Sequence, residues 1–133
     1  MIYRITLISG AVLGFLSVAF GAFGAHALKP FLVQRNRLET FELAVEYQFY
    51  HALALLLTAV FMHYIDSFKL KYAGIFFLLG ILLFSGSLYG LCFLGLGILG
   101  PLTPIGGILL LVGWSFLAVG LIQSKKAPGG ALR

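Results

Sequence analysis

The sequence predicts an all-α integral membrane protein, a four-helix bundle whose two termini both lie in the cytoplasm (N-in/C-in). Three observations carry that expectation. Of its 133 residues, 61% are hydrophobic and 10% charged, with a mean hydropathy of +1.06, which is more apolar surface than a water-soluble domain of this length can hide. The few charges cut the chain into runs that match, singly or in pairs, the roughly 20 residues needed to cross a hydrocarbon core. Polar or Gly/Pro-rich breaks separate those runs, and no stretch of soluble-domain composition intervenes.

The first span covers about residues 5–28, where His26 is the sole ionisable group with basic or acidic character. Arg4 and the small residues of GAFGAHA imitate a signal peptide, but the run is longer than an h-region of roughly 7–15 residues, so a retained helix is expected. A break with Lys29, Arg35, Arg37 and Glu39 leads to a second span over about 40–64. From Tyr72 to Ile122 there is no charge at all, too long a stretch for one helix. Pro101 and Pro104 within GLGILGPLTPIGG break it, since proline lacks a backbone donor and glycine favours turns; spans three and four follow at about 70–94 and 104–123. Residues 1–124 thus form one four-span transmembrane domain, and 125–133 a flexible cytoplasmic tail.

Arg4, Lys69, Lys71, Lys125, Lys126 and Arg133 fall on the side of the termini, against Lys29, Arg35 and Arg37 on the other, which the positive-inside rule reads as cytoplasmic termini. The net charge of +5 is therefore a topology signal. No basic soluble face exists for nucleic acid. The lone Cys92 cannot form an internal disulfide, and no CxxC pair suggests zinc or redox chemistry.

Small residues recur at helical spacing. Gly10, Gly14, Ser17, Gly21 and Gly24 share a face of span one, Gly86 and Gly90 form a GxxxG pair in span three, and Gly106, Gly113 and Gly120 repeat every seventh residue in span four. Such seams let backbones approach within a bilayer, and they serve packing inside the chain or a homo-oligomer. Trp114, half-way along span four, is expected in the packed core with its indole N–H seeking an acceptor.

Span two carries AVEYQFYHALALL. At 100° per residue, Glu39, Glu42, Glu46 and Tyr50 share one stripe, with Tyr47, His51 and Thr58 on the next. With entry near Phe41, Glu46 lies about 7 Å and His51 about 15 Å deep. Ionisable groups at such depth face the bundle or a wet cavity and find partners; Glu46 is expected to be carried neutral or to pair, with His26 the partner matched by depth. Ser85, Ser87 and Tyr89 of FSGSLYG, with Thr103 and Pro104, lie at the same end, whereas the other half of the spans is almost wholly apolar. The expectation is a one-sided, exterior-facing pocket built from His26, Glu46, Tyr47, Gln48, His51, Ser85, Ser87 and Tyr89. It would take a lipid head group or an amphipathic small molecule, or dock on a membrane-protein complex.

Two other readings stand beside it: a metal or proton site supporting transport, and a purely structural network whose polar groups satisfy one another. His26 and His51 differ in depth by roughly 10 Å and lack HxxxH or HExxH spacing, so no metal ligands are assigned. Nor does any nucleophile elbow or phosphate loop point to a catalytic residue. No cofactor is named by the sequence.

GAFGAH (21–26), EYQFYH (46–51), FSGSLY (84–89) and TPIGG followed by Gly113-Trp114 resemble the motifs of the domain-of-unknown-function 423 family, in order and at fitting spacings from about Ile5 to Gln123. These are small bacterial inner-membrane proteins, also similar to eukaryotic transmembrane protein 256. The resemblance implies a multi-pass plasma-membrane protein. It brings no substrate, cofactor or site residue with it.

Overall fold

The computed structural model describes residues 1–124, which form five α-helices and one 3-10 turn. Four helices are long: α1 (Ile2–Ala25), α3 (Leu38–Tyr64), α4 (Phe68–Leu94) and α5 (Leu102–Ile122). Each lies in a segment long and apolar enough to cross a membrane, and no strand occurs among the described residues. The fold class is therefore all-α with four spans, as composition and break spacing predicted. The tail over 125–133 lies outside the described residues.

The short α2 (Lys29–Gln34) lies inside what the sequence suggested was a plain polar break. Pro30 sits in its first turn, where a missing N–H costs nothing. Helix α1 ends at Ala25, three residues before the expected bound. At the far end of α4, Gly95 adopts φ +67°, the left-handed conformation that ends helices. A 3-10 turn over Gly97–Leu99 then leads through Pro101 into α5.

Each span packs on the one before it: α3 on α1, α4 on α3, α5 on α4. On α3, the residues meeting α1 include Phe41, Val45, Ala52 and Leu56, whereas Tyr47 and His51 turn toward α4. At 100° per residue these stripes lie a little over a third of a turn apart. The bundle is consequently open: α1 and α5 lie on opposite sides of the α3–α4 pair and do not pack on each other.

The α4–α5 contact is the tightest. A Cβ on Gly106 would overlap the backbone of Phe84, one on Gly113 the ring of Phe77, and one on Gly120 the Leu70 side chain. Leu70, Phe77 and Phe84 thus advance by seven along α4 as their glycines retreat by seven along α5, the repeat of a left-handed antiparallel pair. Gly80 reciprocates beneath Leu110. On α1, Gly10 lies under Leu56 and Gly24 under the Phe41 ring, while Gly14 and Gly21 meet α3 only in ordinary contact. Gly90 faces Leu99; Gly86 is exposed and touches nothing.

Between α3, α4 and α5 sits the main core, with Leu55, Leu70, Phe77, Ile81, Leu110 and Leu117 buried together. A second cluster, Leu32, Phe41 and Cys92, closes the end at α2. There Phe31 stacks on Phe93 at 6.0 Å, and the Arg35 guanidinium donates to the Phe93 carbonyl at 3.1 Å. This satisfies one of the carbonyls that a helix leaves open in its last turn, where a cation is also favoured. At the opposite end Lys69 donates to the Gln123 side chain, and Lys71 pairs with Asp66 across the α3–α4 turn at 2.9 Å.

Thermal unfolding followed through Trp114 should separate the glycines. Gly106→Ala is expected to destabilise by about 1–3 kcal/mol, the usual range for overpacking. Gly86→Ala should be neutral or stabilising by up to about 1 kcal/mol, the helix-propensity difference between the two residues.

Candidate functional site

The polar groups that join the spans lie between the α2 end of the molecule and mid-span, spread over roughly 15 Å along the helices. Gln48 of α3 donates its amide to the Leu13 carbonyl of α1 at 3.0 Å. Ser85 of α4 donates to the Ala44 carbonyl of α3 at 2.8 Å. Ser87 donates to the Phe84 carbonyl of its own helix and meets the Thr103 hydroxyl of α5 at 2.7 Å. Trp114 of α5 donates its indole N–H to His51 Nε2 at 3.2 Å. Each span is thus joined to the next by a hydrogen bond, and α5 reaches across to α3 as well. In the other half, Thr6 and Thr58 bond back to carbonyls of their own helices.

His51 is 6% exposed, and both of its ring nitrogens are engaged. Nδ1 lies 2.8 Å from the Tyr47 carbonyl, an obligate acceptor, while Nε2 receives the Trp114 N–H, an obligate donor. Together these bonds define the neutral imidazole with its proton on Nδ1. Around it stand Tyr47, Phe77 and Trp114, their centroids 5.9, 5.8 and 6.1 Å from the imidazole. Tyr47 in turn stacks on Phe84 at 4.5 Å.

Because α3 and α5 both pack on α4 but scarcely on each other, a groove runs between them with α4 as its floor. It encloses about 630 Å³ and is lined by Tyr47, Tyr50, His51 and Phe84 on one side and by α5 from Pro104 to Trp114 on the other. Those α5 residues extend over roughly 15 Å. Tyr50 is 54% and Trp114 45% exposed, so the groove opens sideways along the helices. Trp114 therefore stands in a groove wall and not in the closed core that the sequence suggested. Its N–H does find the acceptor that a mid-span indole requires.

Other polar residues singled out in the sequence stand elsewhere. His26, the C-cap of α1, is exposed, and so is Glu46; no ion pair joins them. The reason is rotational: Glu46 lies about a third of a turn around α3 from the stripe that meets α1. Gln48, Ser85 and Ser87 are buried within the hydrogen bonds just described. Tyr89 packs between Phe20 and Phe41, and its hydroxyl is buried without a partner. The ring borders a separate apolar cavity of about 410 Å³ beside Phe23, Leu28 and Phe93. No cluster of three His, Cys, Asp or Glu groups suited to a metal occurs among the described residues. Sequence reasoning missed Trp114, Tyr50 and the α5 wall as site residues. The signal available was that Trp114 and His51 sit at matching depth, one a donor and the other an acceptor.

Residues 20–107 match the family model described as "Protein of unknown function (DUF423)", about two thirds of the chain and including every helix motif up to the start of α5. The chain belongs to the DUF423 family. Relatives match this DUF423 protein over most of its length. It is 41% identical over 128 residues, 95% of each chain, to the "UPF0382 inner membrane protein YgdD" of Escherichia coli K12. It is 40% identical over 116 residues, 87% of this chain and 93% of the relative, to the "UPF0382 membrane protein SH2409" of Staphylococcus haemolyticus. A fission-yeast relative, the "UPF0382 membrane protein C1782.12c" of Schizosaccharomyces pombe, is 40% identical over 114 residues, 82% of this chain and 94% of its own. No solved structure matches. The DUF423 chain is a multi-pass membrane protein in a lipid bilayer, with eukaryotic as well as bacterial relatives.

Two substitutions test the polar level. Trp114→Phe leaves His51 Nε2 without its donor and is expected to destabilise by about 1–3 kcal/mol, the cost of a buried unsatisfied group. Tyr89→Phe removes an orphan hydroxyl and should leave stability unchanged or raise it. Circular-dichroism melts in one detergent would compare both with the wild type.

Proposed function

We propose that this protein is a plasma-membrane binding protein, both termini cytoplasmic, that holds an amphipathic, lipid-like molecule in the lateral groove between α3 and α5. The observation that carries the reading is the groove itself. Its volume lies within the roughly 300–1,000 Å³ usual for small-molecule sites, and a few polar groups stand on mostly apolar walls, as such sites require. Apolar chain would lie along Ile108 and Leu111, while the Tyr47 and Tyr50 hydroxyls, together with the His51–Trp114 pair, orient a carbonyl or hydroxyl group. Compared with the pocket expected from sequence, the binding surface keeps Tyr47 and His51 and moves from His26, Glu46, Gln48, Ser85, Ser87 and Tyr89 to the α5 wall.

Transport is less well supported. Beyond the His51 level the threonine hydroxyls bond within their own helices, leaving no ladder of polar groups toward the termini. His51 has no free nitrogen for a metal. The second reading, a purely structural protein, is favoured by the internal bonds of Gln48, Ser85 and Ser87.

Native mass spectrometry of gently extracted protein distinguishes the two. On the binding reading the wild type carries a non-covalent lipid or isoprenoid-sized adduct. Ile108→Trp, which fills the groove, should lose most of that adduct at unchanged melting temperature. A wild type without adduct, or an adduct that Ile108→Trp leaves in place, would sink the groove reading.

A further inference from the structure

Glu46 lies about 7 Å below the level of Phe41 along α3, inside the slab that all four spans share. It is exposed, and among the described residues it forms neither an ion pair nor a hydrogen bond. A carboxyl turned toward hydrocarbon without a partner is unfavourable and marks a contact still to be made. The surface around it has a definite shape. Leu43, Glu46, Tyr50, Leu53, Leu57 and Val60 are all exposed and follow one another at steps of three and four, forming a seam on the side of α3 that neither α1 nor α4 covers. Beside the seam, Glu46 and Tyr50 line a recess of about 230 Å³ with Ser17, Val18, Val45 and Phe49.

We propose that this outward face of α3 docks a second copy of the chain, joined by reciprocal Glu46–Tyr50 hydrogen bonds. Two copies inserted with the same orientation are related by a two-fold axis along the membrane normal, so every residue meets its counterpart's own depth. Within about one turn of Glu46 the exposed polar groups of a second α3 are Glu42, Glu46 and Tyr50, of which the phenol is the donor. Helical side chains lean toward the N-terminus, which carries the Tyr50 phenol back by about one turn to the carboxyl of the other copy. Carboxyl and phenol are complementary, and the symmetry makes the bond twice. The alternating steps of three and four suit a left-handed pair packed with knobs in holes, and the recess receives a knob from the facing helix. The site shares Tyr50 with the rim of the α3–α5 groove but needs no ligand there.

The test uses the full chain in liposomes. In a Cys92→Ala background, oxidative cross-linking is expected at Leu53→Cys and Leu57→Cys but not at Leu79→Cys, an exposed position of α4. Energy transfer between labelled copies, diluted with lipid, should report association. Glu46→Leu combined with Tyr50→Phe should weaken it by about tenfold, the scale of one to two intramembrane hydrogen bonds. Glu46→Gln should retain most of it, and Ile108→Trp, which alters only the groove, should leave it unchanged. Absence of concentration-dependent transfer in the wild type, or transfer indifferent to the double substitution, would overturn the proposal. So would cross-linking at Leu53→Cys in native membranes that captures a different protein and no second copy.

Discussion

The contact on which the rest depends is that of the Gly106 backbone with the Phe84 backbone. Leaving lipid for a protein interface brings no hydrophobic gain, so helices in a bilayer are held by the number of atoms they bring into van der Waals range. The α4–α5 seam maximises that number by placing a glycine under each of Leu70, Phe77 and Phe84. It also fixes rotation. One residue of slip would turn α5 by 100°, carrying Thr103 away from Ser87 and Trp114 away from His51.

The hydrogen bonds between helices play a different part. Measured intramembrane hydrogen bonds average only about 0.6 kcal/mol, too little for four of them to hold the spans together. What they do is penalise every alternative arrangement, because a misplaced Ser85 or Gln48 would leave a buried polar group unsatisfied. His51 is the most demanding of these residues. Its two nitrogens need one acceptor and one donor, and the present register supplies both. Specificity is thus concentrated in the half near α2, and the other half is left to apolar packing and the Asp66–Lys71 turn.

Much of the fold was legible in the sequence because a bilayer imposes simple rules: charge-free length makes a span, and Gly95 with Pro101 makes a break. The seven-residue glycine repeat of α5 was equally plain. Its partners were not, since Leu70, Phe77 and Phe84 are three apolar residues in a helix that is apolar all round. The same uniformity hid which way each polar residue turns. Depth along a helix can be counted from sequence, which is how Gln48, His51 and Ser85 were assigned between one end of the spans and their middle. Rotation about the helix depends on where the neighbours stand, and this is why Glu46 and His26 looked like partners by depth while lying apart in space. The open arrangement of α1 and α5, which creates the groove, left no pattern at all in the residues. Six residues of α2, with Leu32 as the single buried one, were too few to show a period.

The spans stand in space in the order in which they occur in the chain, each against its predecessor. A ribosome releases them in that same order. When α3 enters the bilayer its docking surface on α1 is already there, and when α5 arrives the Phe84 and Phe77 faces are waiting. No helix has to be held aside for a later one, and no early contact must be broken to admit a late one. Assembly can proceed as zipping, with the short loops keeping each closure entropy small. The lack of packing between α1 and α5, which looks like incomplete closure in the finished molecule, is what spares synthesis a search between its first helix and its last.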